Sequence, residues 1–136
     1  MGNGKDVLFL SQLTFDGQYH LTAYDIQEAA LLSTRALVQK ELNIELTGNA
    51  SHFFGHGLSL KLACHSKIAH EEELKATKLI HFNLGYLPGS DKQVTTMTGT
   101  TMTALQELAP LLPQNSAITL VCYPHLEGMY YMHDIP

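Results

Sequence analysis

Apolar positions along this chain switch repeatedly between helical and strand spacing. Val7, Leu8, Leu10 and Leu13 recur at helical intervals after a glycine-rich start, which predicts a first helix over about Gly4 to Leu13. Asp16-Gly17 supplies a turn, and His20 to Tyr24 reads as a short strand ending at Asp25. From Gln27 to Leu42 strong helix formers fill most positions, with Ala30, Leu31, Thr34, Leu37, Val38 and Leu42 on one face. Thr47 to Gly57, rich in glycine and broken by an Asn-Ala-Ser step, reads as an irregular loop. Leu58, Leu60, Leu62 and Cys64 then alternate with Ser59, Lys61 and Ala63, the period of a strand with one buried face. A short acidic helix around Ile68 to Lys75 leads into a strand from Lys78 to Phe82, which breaks off at Asn83 to Gly89. Thr101 to Leu112 reads as a helix stopped by Pro113 and disturbed in its last turn by Pro110. The apolar run Ala117 to Tyr123 predicts a strand covered on both faces.

Alternating helices and strands favour an α/β fold with a mostly parallel sheet flanked by helices. In such sheets ligands sit at the carboxyl ends of the strands. Asp25, His65-Ser66, Asn83 to Gly89 and Tyr123-Pro124-His125 all fall at or beside those ends. With 136 residues, the chain suits one packed domain over 1–136. It has no apolar run long enough to span a bilayer and no secretory leader pattern, so a cytoplasmic protein without a membrane partner is expected. Cys64 and Cys122 sit in apolar strand-like runs and read as reduced, buried thiols.

Charge narrows the choice of partners. A formal charge of −5 and only eight basic residues, scattered from Lys5 to Lys92, argue against a general basic surface for nucleic acid. An RNA substrate would need local contacts or a second subunit.

Gly2-Asn3-Gly4 at the mouth of the first helix can let a ligand approach the backbone, although a glycine-rich start also suits a plain flexible terminus. Asp25, about twenty residues on at a strand end, can accept both hydroxyl hydrogens of a ribose. Asn83 to Pro88 can present a carboxamide and backbone carbonyls to a substrate amine, with Tyr86 lining the pocket; the same residues also suit an Asn-capped Pro-Gly turn. Asp91 and Lys92 can contact substrate, and Thr100 can contact it or cap the next helix. His52 and His56 stand four apart, a ligand spacing useful only on a helix, which Gly55 and Gly57 oppose; no metal site is expected.

In order, Met1-Gly2-Asn3-Gly4-Lys5-Asp6, Tyr24-Asp25-Ile26-Gln27 and Phe82-Asn83-Leu84-Gly85-Tyr86-Leu87-Pro88-Gly89-Ser90-Asp91-Lys92 resemble three signatures of a small bacterial family labelled rRNA methylases. Members have been assigned as tRNA methyltransferases that convert 5-aminomethyl-2-thiouridine at the wobble position to its 5-methylaminomethyl form. The resemblance covers most of the chain. It implies a Rossmann-like methyltransferase fold, S-adenosylmethionine as cofactor, and RNA, chiefly tRNA, as partner, with a homodimer left open. Gly2, Asn3 and Gly4 would border the methionine part of the cofactor, Asp25 its ribose and Gln27 its adenosine, and His65, which matches a Ser-His step in the family, would also be a cofactor-binding residue. Asn83, Gly85, Tyr86 and Pro88 match the catalytic loop, and Asp91, Lys92 and Thr100 match substrate-side positions. The family has a strand before Gly-Asn-Gly and a helix and two strands beyond its Tyr-Pro-Gly-His, so a chain lacking the first strand and the C-terminal strand pair is expected. The rival expectations are a non-catalytic Rossmann-like remnant and, from the acidic charge, a methyltransferase of small molecules.

Overall fold

The computed structural model describes residues 1–13, 18–53, 56–70, 72–84 and 98–122, which belong to two compact units, Met1–Cys64 and His65–Pro136. The strands form two sheets, one in each unit.

The first unit contains α1 (Lys5–Gln12), β1 (His20–Asp25), α2 (Glu28–Leu42), β2 (Ala50–Phe53) and β3 (His56–Leu62). β1 runs parallel to β3 and β2 runs antiparallel to it, giving the order β1-β3-β2. The predicted apolar face of α2 supplies Ala30, Leu31, Thr34 and Val38 to the interior, against Val7 of α1, Ala23 of β1, and Leu58 and Leu60 of β3. Burying a side chain such as Leu58 stabilises the fold by roughly 1.5–3 kcal/mol. α2 ends at Asn43, whose φ of 51° is a left-handed stop that asparagine tolerates. Arg35 then fixes the outgoing chain by donating from Nε to the Gln39 side chain and from Nη2 to the Leu46 carbonyl, both at 3.1 Å.

The segment expected to be a loop over 47–57 instead contains β2 and the start of β3. Thr47 and Ala50 exchange backbone hydrogen bonds around Gly48, whose φ is +63°. β2, which starts at Ala50, pairs antiparallel with β3, Phe53 opposite His56. Strand β3 also ends earlier than expected. Leu62 is 54% exposed, so it does not continue the buried face of Leu58 and Leu60. Cys64 lies beyond the strand and is half-buried.

The second unit opens with two 3-10 segments, His65–His70 and Glu72–Ala76, in place of the predicted acidic helix. Such short stretches gain too few i to i+4 bonds to offset helix nucleation. There follow β4 (Leu79–Leu84), α3 (Thr98–Leu108), a 3-10 turn Ala109–Leu111 containing Pro110, and β5 (Ala117–Cys122). β4 and β5 are parallel, and their register starts where the Ala117 N–H donates to the Lys78 carbonyl at 2.9 Å and the Ser116 hydroxyl to the Thr77 carbonyl at 2.7 Å. Leu74, Phe82, Leu84, Ala104 and Leu108 form the core, with Ile118 and Leu120 packed on it.

Three expectations change here. β4 runs two residues past Phe82, so Asn83 lies inside the strand. α3 runs over Thr98–Leu108, which places Thr100 inside the helix and not at its cap. Ala117, Thr119 and Val121 are exposed, so among the described residues β5 is packed on one face only. No helix among the described residues is long and apolar enough to cross a membrane.

Candidate functional site

In the first unit β1 delivers Asp25 to its carboxyl end, where the start of the chain folds onto it. Asp25 Oδ2 accepts the Gly2 N–H at 3.1 Å and pairs with the Met1 ammonium at 3.1 Å, while Oδ1 accepts the Gln27 N–H at 2.9 Å. The Met1 ammonium also donates to the Tyr24 carbonyl at 3.3 Å. A carboxylate can accept roughly four hydrogen bonds, so these three contacts leave acceptor capacity on a side chain that is 15% exposed. Asp25 thereby joins three segments that the sequence singled out separately: the glycine turn, the end of β1 and the entry to α2.

The glycines of that turn divide their roles. Gly4 has φ +84°, and a Cβ there would sit 2.8 Å from the Thr34 Cα. Its missing side chain therefore lets α1 begin directly against α2. Gly2 has φ +55°, and a Cβ there would meet nothing within 4 Å. Gly2 consequently shows an open approach to backbone, the property a ligand needs. Asn3 turns its carboxamide to the helix start, accepting the Lys5 N–H at 3.3 Å.

Beside this cluster lie apolar side chains that sequence reasoning missed. Ile26 and Leu62 are 56% and 54% exposed, and Leu62 is the register partner of Asp25. Leu62 was expected on the buried face, because strand alternation says which residues share a face and not where cover over that face ends. Tyr24 and Lys61, also register partners, form a cross-strand contact with the ammonium 5.5 Å from the ring centroid.

The second unit brings His65, Asn83 and Thr100 onto neighbouring elements. Asn83 is exposed between buried Phe82 and Leu84, so its side chain leaves β4 on the face away from the core. His65 opens the first 3-10 segment with Nε2 3.4 Å from the Thr101 Oγ1, and its ring meets Phe82 edge-on at 5.7 Å. Gly85, Tyr86, Pro88, Asp91 and Lys92, with the Asp16-Gly17 turn and Tyr123-Pro124-His125, lie outside the described residues.

No group of three potential metal ligands occurs among the described residues. His56 starts β3, stacked on the Tyr19 ring at 4.0 Å, and its Nδ1 accepts the Tyr19 N–H at 3.4 Å.

A family model described as "Putative rRNA methylase" matches residues 21–131. The chain belongs to this rRNA methylase family. Among individual proteins, it is 30% identical over 127 residues to the chloroplastic tRNA (mnm(5)s(2)U34)-methyltransferase of Arabidopsis thaliana, a match spanning 90% of this chain and 43% of that protein. The chain is also similar to two solved structures. A "putative rRNA-methylase" from Clostridium thermocellum superposes with a TM-score of 0.73 at 28% identity, over 97% of this chain and 64% of that one. A "putative methyltransferase" from Streptococcus mutans, solved with S-adenosylhomocysteine (SAH), gives 0.66 at 32% identity, over 90% of this chain and 59% of that one. The chain thus spans about two fifths to two thirds of the length of these relatives. The mixed α/β architecture and these neighbours bear out the Rossmann-like methyltransferase fold.

Proposed function

We propose that this protein is an S-adenosylmethionine-dependent methyltransferase acting on RNA, and that its substrate is the aminomethyl group of a modified wobble uridine in tRNA. The observation that carries the reading is Asp25, held by Gly2 and Gln27 beside an open glycine backbone, in a chain of the rRNA methylase family. The likeness to a tRNA (mnm(5)s(2)U34)-methyltransferase supports the finer substrate.

The residues present fit the cofactor. Gly2 gives close access to backbone, Asp25 keeps acceptor capacity for ribose hydroxyls, and exposed Ile26 and Leu62 offer apolar surface suited to a purine face. When bound, the cofactor supplies a methyl activated by a sulfonium, which a neutral amine nitrogen can take by in-line attack. Such a transfer gains most from aim and exclusion of water. Asn83, exposed near the end of β4, carries a carboxamide able to accept a hydrogen from an amine and so orient its lone pair. Gln27 fixes the Asp25 carboxylate through its backbone N–H, which leaves its side chain available to the adenosine side.

Transfer of labelled methyl from S-adenosylmethionine to tRNA lacking the modification tests the reading. Incorporation that Asn83→Ala lowers at least tenfold supports it. Absence of transfer by folded protein that binds the cofactor overturns it in favour of a binding remnant, and transfer only to small amines would move the substrate class.

A further inference from the structure

In the first unit, the row of side chains that carries Asp25 also carries an apolar group that the core leaves uncovered. On the face of the sheet that packs against the helices, successive register pairs are Leu21 with Leu58, Ala23 with Leu60, and Asp25 with Leu62. Leu58 and Leu60 are 0% and 3% exposed, whereas Leu62 is 54% exposed. A lone exposed leucine is ordinary on a protein surface. Leu62 differs in lying one strand spacing, about 4.8 Å, from Asp25 and on the same side of the sheet. The Ala63 N–H donates to the Asp25 carbonyl at 2.9 Å and so pins the two strands together at their last rung. Carbonyls alternate in direction along a strand, so that of Tyr24 points away from β3, and there it accepts the Met1 ammonium. The glycine turn therefore lies on one flank of Asp25 and Leu62 on the other.

We propose that Leu62, and not Ile26, is the residue on which the nucleobase of the cofactor rests, and that it is thereby a determinant of cofactor recognition; this rests on the function proposed above. A ribose whose hydroxyls donate to Asp25 carries its base on the carbon next to the one bearing the 2′-hydroxyl, so the base begins within about one strand spacing of the carboxylate. On the glycine flank, Asp25 Oδ2 already meets the Gly2 N–H and the Met1 ammonium. On the β3 flank the Leu62 side chain offers uncovered apolar surface to the flat face of a purine. Ile26 is equally exposed, but it lies past the last register pair, in the bend before α2, where no strand pairing directs it. Leucine has no polar group, so the contact holds the face of the base and leaves its edges to other partners.

The test uses the full chain with SAH. In protein carrying methyl-labelled leucine and isoleucine, NMR of the complex should show through-space contacts from the Leu62 methyls to the ring protons of adenine. By calorimetry, Leu62→Ser should weaken SAH roughly five- to tenfold, since 54% of the residue is still there to be covered, and Leu62→Met should stay within about twofold of wild type. Leu62 contributes little to the core, so the denaturant midpoint of Leu62→Ser should stay near that of wild type, which separates a lost ligand contact from a lost fold. Contacts from adenine to Ile26 and none to Leu62, or SAH affinity unchanged in Leu62→Ser, overturn the assignment and leave the cofactor reading standing. Wild-type protein that binds no SAH overturns both.

Discussion

Gly4 and Thr34 approach so closely that the smallest added side chain on Gly4 would lie 2.8 Å from the Thr34 Cα. The obstacle is helix backbone, which cannot swing aside, and the φ of +84° at Gly4 is itself unfavourable for any residue with a Cβ. Gly4→Ala should therefore destabilise the protein by about 2–5 kcal/mol, combining a left-handed backbone penalty with overpacking. Gly2→Ala meets open space and should cost only about 1–2 kcal/mol of backbone strain, yet intrude on the approach to Asp25. Denaturant unfolding and cofactor titration of the two variants should separate: Gly4→Ala fails mainly in the first measurement, Gly2→Ala mainly in the second.

Thr34 carries a second consequence. Its side chain is completely buried, and its Oγ1 has no hydrogen-bond partner among the described residues. A buried hydroxyl left unpaired costs about 1–3 kcal/mol, and valine has nearly its shape. Thr34→Val should raise stability by about 1 kcal/mol, seen as a higher denaturant midpoint with an unchanged slope. A lower midpoint would mean that the hydroxyl has a partner in solution.

Tyr19 predicts the alkaline limb of the stability profile. Its hydroxyl donates to the Ser11 carbonyl at 2.7 Å, and burial raises its pKa above the ordinary tyrosine value of 10.0. The folded state therefore holds the phenol proton more tightly than the unfolded chain does. The stability this contributes is fully present below the unfolded pKa and is lost as pH climbs through the raised folded value. Tyr19→Phe should lower stability at neutral pH by about 0.5–1.5 kcal/mol through the lost hydrogen bond and flatten the decline above about pH 10. Unfolding curves between pH 7 and 11 would show both effects.

These relationships mark where the sequence was readable and where it was not. The face of α2 was legible because Ala30, Leu31, Thr34 and Val38 repeat at helical spacing and depend on nothing distant. β2 was not, because Ala50–Phe53 has no strong strand pattern of its own and is fixed by pairing with His56–Ser59. The glycine turn and Asp25 could be picked out as candidates from residue type and spacing. The division of labour between Gly2 and Gly4 could not, since it is decided by Thr34, thirty residues away. His65 was visible as a polar residue after a strand, but its grip by Thr101 and Phe82 depends on how α3 and β4 pack around it.

The most direct test of the central claim is calorimetric titration of the protein with SAH, alongside Asp25→Ala checked for folding by circular dichroism. Saturable one-site binding that Asp25→Ala weakens at least tenfold is the predicted result. Absence of binding by folded wild-type protein, or equal binding by folded Asp25→Ala, would contradict the assignment of Gly2 and Asp25 to the cofactor.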